Sequence, residues 1–292
     1  MRRGMLNRRV MKLSGAALAI FVTAGCGSPQ RVPPEPPGPP AVTASAPASA
    51  AQVAAAPTSV ANVEVTAAVA QALAAPDRAE ADRALDAGRK PEQWLSFFGI
   101  APGQHVAEIA AGGGYTTELL ARIVGPSGSV IGENPSIFLQ RFAEKPWSER
   151  LAKPVMKNVV RSDGEPAAPF PAGTTGLDAV LSVLVYHDTV WQGVDRAAMN
   201  RAVFTALRPG GVYGIIDHSG RPGTGATETE SLHRIEESVL RAEVTQAGFV
   251  LDGEATFLRN PADTRDWSAS PRVAGEKRGT SDRFVLRFKK PG

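Results

Sequence analysis

Cysteine is almost missing from this 292-residue sequence, where Cys26 stands alone. One thiol cannot build a disulfide framework, so stability must come from an ordinary hydrophobic core. Aromatic residues make up only 6% of the chain, and there are four histidines. The apolar stretch Leu13 to Gly25 is too short to span a bilayer as a stable helix. Charge of one sign is also lacking: 32 basic residues face 29 acidic ones, a net charge of +3. That surplus includes Arg2, Arg3, Arg8, Arg9 and Lys12, so the rest of the chain is near neutral and nothing argues for nucleic acid. No internal repeat is visible.

What is present begins with those five cations. A basic segment followed by a short apolar one has the pattern of an export signal. It ends Thr23-Ala24-Gly25-Cys26, which resembles the lipobox of bacterial lipoproteins, and this implies that Cys26 carries a lipid and becomes the first residue. Asn7 to Lys12 also resembles a twin-arginine signal. The following residues are mostly Pro, Ala, Ser and Val, too poor in large apolar groups to offset chain entropy. The organisation expected is a signal peptide over 1–26, a disordered tether over 27–70 and a single domain over 71–292. The site expected is the cell envelope, lipid-anchored and facing the periplasm.

Within the domain the hydrophobic pattern alternates. Helices are expected over Asp77–Ala87, closed by Gly88, and from Pro91 onward, with Trp94, Leu95, Phe97 and Phe98 buried. Then come a strand at Val106–Ile109, a helix at Tyr115–Val124 and a strand at Ser129–Gly132, a spacing that implies a parallel βαβ unit. Further strands are read at Lys157–Arg161, Leu177–Val185 and Val212–Ile216, and helices at Arg196–Leu207 and Thr227–Ala247. Phe249–Leu258 and Arg283–Phe288 leave no room for a covering helix and should pair antiparallel at the sheet edge. The loop Arg259–Gly279, with Trp267, reads as plain surface.

Two stretches carry chemistry. Directly after the first strand stands Glu108-x-Ala110-x-Gly112-Gly113-Gly114, a small-residue turn that lets a ligand approach the backbone. A tight strand-to-helix turn with no ligand would look similar. Thr117 occupies the place where a dinucleotide fingerprint wants Gly or Ala. The second stretch is a pair: His187-Asp188 follows one strand and Asp217-His218 follows another. Three histidines, His187, His218 and His233, map to the same sheet edge, and only His105 does not. Imidazole beside carboxylate can act as a base near neutral pH or can hold a divalent metal, and both readings stay open.

The segment LRPGGVYGIID (Leu207 to Asp217), with the spacing of the other elements, resembles class I S-adenosylmethionine-dependent methyltransferases. The stretches EIAAGGGYTTEL, AEKPWSERL, VYHD, GIIDHSG and SDRFVLRFKKP look like a group of bacterial methyltransferases that often bear secretion signals. The resemblance implies a Rossmann-like α/β fold with a seven-stranded, mostly parallel sheet, helices on both faces and an antiparallel edge strand. It implies S-adenosylmethionine as cofactor and a small-molecule acceptor. By position, Glu108, Ala110 and the Gly112, Gly113 and Gly114 backbone would lie along the methionine and ribose. Glu133 or Asn134 would meet the ribose hydroxyls, with Asn134 in the acidic place by strict alignment, and Asp163 the adenine amino group. Ala110 replaces a glycine, which suits a negative φ. His187, Asp188, Asp217 and His218 would stand at the acceptor end. Export argues for a rival reading, a ligand-binding or scaffold lipoprotein that keeps the fold without turnover.

Overall fold

The computed structural model describes residues 60–292, with side chains from residue 64 onward. The signal, Cys26 and most of the tether lie outside the described residues. Helix α1, Val60–Ala74, begins inside the segment read as tether. Its Val69 and Ala72 are buried, so here a run rich in Ala and Val gains enough apolar contact to order.

Helix α2, Glu80–Arg89, passes through Gly88 and ends at Lys90, whose φ of 50° makes it the left-handed cap expected of the glycine. Helix α3, Pro91–Phe98, opens on a first-turn proline and buries Trp94, Leu95 and Phe98, leaving Phe97 half-buried. Strand β1, His105–Ile109, leads through the glycine turn into α4, Tyr115–Val124. After β2, Ser129–Glu133, comes an irregular helical stretch: α5, Ser136–Phe138, a wider turn over Leu139–Ala143, and α6, Glu144–Leu151. The remaining elements are β3 (Val159–Ser162), β4 (Leu177–Val183), α7 (Tyr186–Trp191), α8 (Arg196–Ala206), β5 (Leu207–His218), α9 (Glu237–Gln246), β6 (Val250–Ala255) and β7 (Arg283–Lys289).

Seven strands form one sheet in the order β3-β2-β1-β4-β5-β7-β6. The first five are parallel, and β7 runs antiparallel between β5 and β6. This is the mixed Rossmann-like sheet that the family resemblance implies, with the parallel βαβ unit and antiparallel end expected from the alternating pattern. Side chains of β1 alternate between two cores. Val106 joins Trp94, Phe98 and Leu119 under α3 and α4, while Ala107 and Ile109 join Met199, Val203 and Leu240 under α8 and α9.

One helix was misread. Residues 227–233 are turns and a bend, residues 234–236 are extended around a bridge, and only Glu237–Gln246 is helical. His233 sits at φ 51°, and Ile235 forms a parallel bridge with Ser219, donating its N–H to the His218 carbonyl at 3.0 Å. The chain is drawn back against the end of β5, and His233 comes with it.

Candidate active site

A single cleft of about 810 Å3 runs along the carboxyl ends of β1 and β4 to that of β5. That location is where open α/β sheets bind ligands, and the volume suits a nucleoside-sized molecule together with an acceptor. Its floor is the glycine turn, with Ala110 to Gly113, and one wall is α2 with Arg89. The opposite wall carries Phe138, Arg141 and Phe142 from the irregular stretch, and the far end holds His187, Asp188, His218 and His233. The loop read as plain surface contributes Ala269 to Arg272. Trp267 is absent from the cleft lining and lies 4.7 Å from the Arg234 guanidinium.

The turn is built with care for space. A Cβ on Gly112, at φ 58°, would meet nothing nearer than Phe142 at 4.0 Å, so this glycine faces open cleft. Gly113 also lines the cleft. Gly114 does not: a Cβ there would lie 2.6 Å from the Trp147 ring and 2.7 Å from Arg150 Cδ. Its role is to let α6 pack. Ala110 has φ 55°, not the negative value expected, and Leu184, just past the end of β4, has φ 61°. Both left-handed residues border the cleft, where such strain concentrates at ligand sites.

The end of β2 holds this strained turn in place. Glu133 Oε2 accepts from the Ala110 N–H at 2.8 Å, and its main-chain oxygen accepts from Ala111 at 2.7 Å. Asn134 Oδ1 accepts from the Gly112 N–H at 2.7 Å, and its Nδ2 donates to the Gly112 carbonyl at 3.0 Å. Glu133 and Asn134 are therefore fully buried props of the turn and do not line the cleft. Glu133 Oε1 has no partner. Burial pushes this carboxyl up to about 8, against the pull of the Ala110 N–H. Asp163 is also misplaced for an adenine contact, because it is half-exposed, paired with Arg161 at 2.7 Å, and away from the cleft.

Glu108 does reach the cleft, but it is 4% exposed and accepts the Thr117 hydroxyl. Burial raises it to about 7, with the Thr117 and Thr116 hydroxyls opposing. Thr117 thus occupies the dinucleotide-type glycine position to bond this carboxylate. Sequence reasoning missed Arg89, which lies 4.4 Å over the Tyr115 ring and brings a cation to the glycine end. Burial lowers its pKa from the ordinary value. Nothing local in EADRALDAGR marks this arginine among its neighbours.

At the far end the four residues expected together do converge. Asp217 is fully buried and accepts from the His187 N–H, from His187 Nδ1 and from the His218 N–H, each at 2.7 Å. Burial opposes charge on His187, but the carboxylates of Asp217 and Asp188 outweigh it and raise its pKa to about 10. It cannot serve as the base near neutral pH. His218 goes the other way: burial first, then the positive charges of His187 and Arg283, pull it well below the ordinary value. Its Nδ1 meets the Ser281 hydroxyl at 2.8 Å. His105 is remote, with its Nδ1 2.8 Å from Ser129 Oγ at the start of β2.

Residues 86–198, under half of the chain, match the family model of protein-L-isoaspartate (D-aspartate) O-methyltransferase. In structure the chain is similar to an S-adenosylmethionine-dependent methyltransferase from Aquifex aeolicus, at 17% identity and a TM-score of 0.52, over 72% of this chain and 95% of that one. It is similar also to a chain of the complex between the Haloferax volcanii Trm112 methyltransferase activator and a methyltransferase, at 15% identity and 0.51, over 77% and 97%. The fold is that of these enzymes. The family match over residues 86–198 falls within the same fold, which spans the glycine turn and the His187-Asp188 pair.

Proposed function

We propose that this chain methylates a small acceptor bound between the glycine turn and His218. The observation that carries the reading is one continuous cleft bordered by Gly112 and Gly113 at one end and by His218 at the other. The residues present fit the cofactor. Gly112 leaves open the space a side chain would fill, and Arg89 offers a cation for the carboxylate of its methionine portion. S-adenosylmethionine, when bound, supplies a methyl group on a sulfonium and departs as a neutral thioether, so no acid is needed for the leaving group. What the protein must do is align the acceptor and remove its proton. His218 is the group for that proton, because Ser281 fixes its ring while the same ring borders the cleft. Phe142 and Arg272, whose guanidinium lies 5.6 Å from the Phe142 ring, wall the cleft beside the glycine turn, which supports a small acceptor.

The envelope location through a lipid on Cys26 is part of this proposal and rests on the amino-terminal pattern. Its rival is a ligand-binding or scaffold lipoprotein that keeps the fold without turnover, favoured by the cytoplasmic origin of S-adenosylmethionine. Calorimetric titration with S-adenosylmethionine separates the two readings, and absence of binding removes the enzyme. Transfer of labelled methyl to an acceptor library then tests turnover. Fractionation of cells carrying Cys26→Ser tests the anchor, which should release the protein from the membrane.

A further inference from the structure

Three ligand atoms at the acceptor end form a nearly equilateral triangle. His187 Nε2 lies 3.2 Å from His233 Nδ1 and 3.2 Å from Asp188 Oδ1, and the third side is 3.3 Å. A tetrahedral zinc ion with bonds of about 2.0–2.1 Å sets its ligands roughly 3.3–3.4 Å apart, which matches all three edges. The two imidazoles stand at 74° with centroids 5.2 Å apart, so the rings fan outward from the place where their nitrogens meet. Two imidazoles and one carboxylate are the donor set of catalytic zinc sites, which keep one position for an outside ligand.

The surroundings complete the pattern. His187 Nδ1 is bound to the buried Asp217 carboxylate at 2.7 Å, which directs Nε2 toward the triangle; this is the carboxylate–histidine arrangement that orients metal ligands. Asp188 Oδ1 accepts from Trp191 Nε1 at 2.9 Å, which fixes its rotamer. His233 reaches the triangle only because the chain turns at φ 51°. All three residues line the cleft, so a fourth ligand has access.

We propose that His187, Asp188 and His233 bind a divalent cation with the size and ligand preference of zinc, leaving one coordination position open to the cleft. The cation takes the place of the proton that would otherwise bridge these atoms, and it offers an acceptor heteroatom a point of attachment beside His218. The set differs from the four groups expected from the sequence. His233 enters, Asp217 acts only through His187, and His218 is bonded to Ser281 instead.

The test is zinc binding by the full-length chain after chelator treatment, measured calorimetrically without S-adenosylmethionine, so that its outcome is independent of methyl transfer. Cobalt(II) in place of zinc adds a visible spectrum that reports four-coordination. We expect one ion per chain. Asp188→Asn and His233→Asn should abolish binding at this site, and His233→Asn keeps a residue that tolerates positive φ, so the fold is retained. Asp217→Asn should weaken binding by about 10–100-fold. No saturable uptake by folded protein overturns the proposal, leaving an ion-paired histidine network. Equal uptake by the wild type and both ligand variants, with circular dichroism unchanged, overturns it as well.

Discussion

Replacing Glu133 by Gln should stabilise the protein at alkaline pH and leave it nearly unchanged in acid. The carboxyl is fully buried, one oxygen accepts from Ala110, the other has no partner, and burial raises its pKa from 4.5 to about 8. The folded state therefore holds a proton that the unfolded chain gives up near 4.5. The stability linked to that proton is fully present below about 4.5, declines as pH rises, and is gone above about 8. At about 1.4 kcal/mol per unit, the full span caps the effect at roughly 5 kcal/mol. Relaxation and water entry on ionisation reduce this, and we expect about 2–3 kcal/mol. Urea unfolding of both proteins at intervals from pH 5 to pH 9 measures it. The curves should lie closest at pH 5, separate progressively up to about pH 8 and run parallel beyond it, with the glutamine form the more stable. Glu108 is coupled to Glu133 through charge, so the difference reports position 133 together with that coupling. Parallel curves across the range would refute a stored neutral carboxyl.

Gly112→Ala should raise the dissociation constant for S-adenosylmethionine at least about tenfold, near 1.4 kcal/mol, with a melting change set only by the positive φ. Calorimetry and thermal melts on the same samples read both. Gly114→Ala should instead cost stability, about 1–3 kcal/mol from overpacking against Trp147, and thermal melts will show it before any ligand is added. His218→Gln should lower the rate of methyl transfer by about 100-fold or more while cofactor affinity stays within about twofold, measured by single-turnover assay and titration. Arg89→Met should weaken the cofactor by about 1.5–3 kcal/mol, the value of a hydrogen bond to a charged group, without moving the pH profile of transfer.

The sheet was legible because β1, β4 and β5 are covered on both faces, and such strands write near-continuous apolar runs into the chain. The antiparallel end was legible too, since the stretch around Val250 and the one around Arg283 leave no helix between them. The glycine turn and the two His/Asp pairs were placed at the right edge by the same reasoning. Illegible were the features decided by backbone sign and by distant partners. The positive φ of Ala110 depends on a carboxylate 23 positions away, and the path of residues 227–236 depends on a bridge to Ser219. His233 was therefore placed at the right edge but on a helix, and its approach to His187 and Asp188 could not be read. Asp163 looked like an adenine contact because its position after β3 is visible in the sequence, while its partner Arg161 and its distance from the cleft are not.

Trp147 fits a notch made by two glycines from different elements. A Cβ on Gly114 or on Gly132 would fall 2.6 Å from its ring. The three positions are thus bound by an order of change. A lineage, or a mutagenesis campaign, that shrinks residue 147 first opens room for alanine at Gly132, whereas the reverse order passes through a less stable chain; at Gly114 the Arg150 side chain and a φ of 80° still resist a side chain. The expected signature is a strongly favourable coupling between Trp147→Leu and Gly132→Ala in a double-mutant cycle. Because α6 also carries Arg150, whose guanidinium bonds the Gly113 carbonyl, whatever settles this sequence of replacements determines how freely the binding loop can be rewritten.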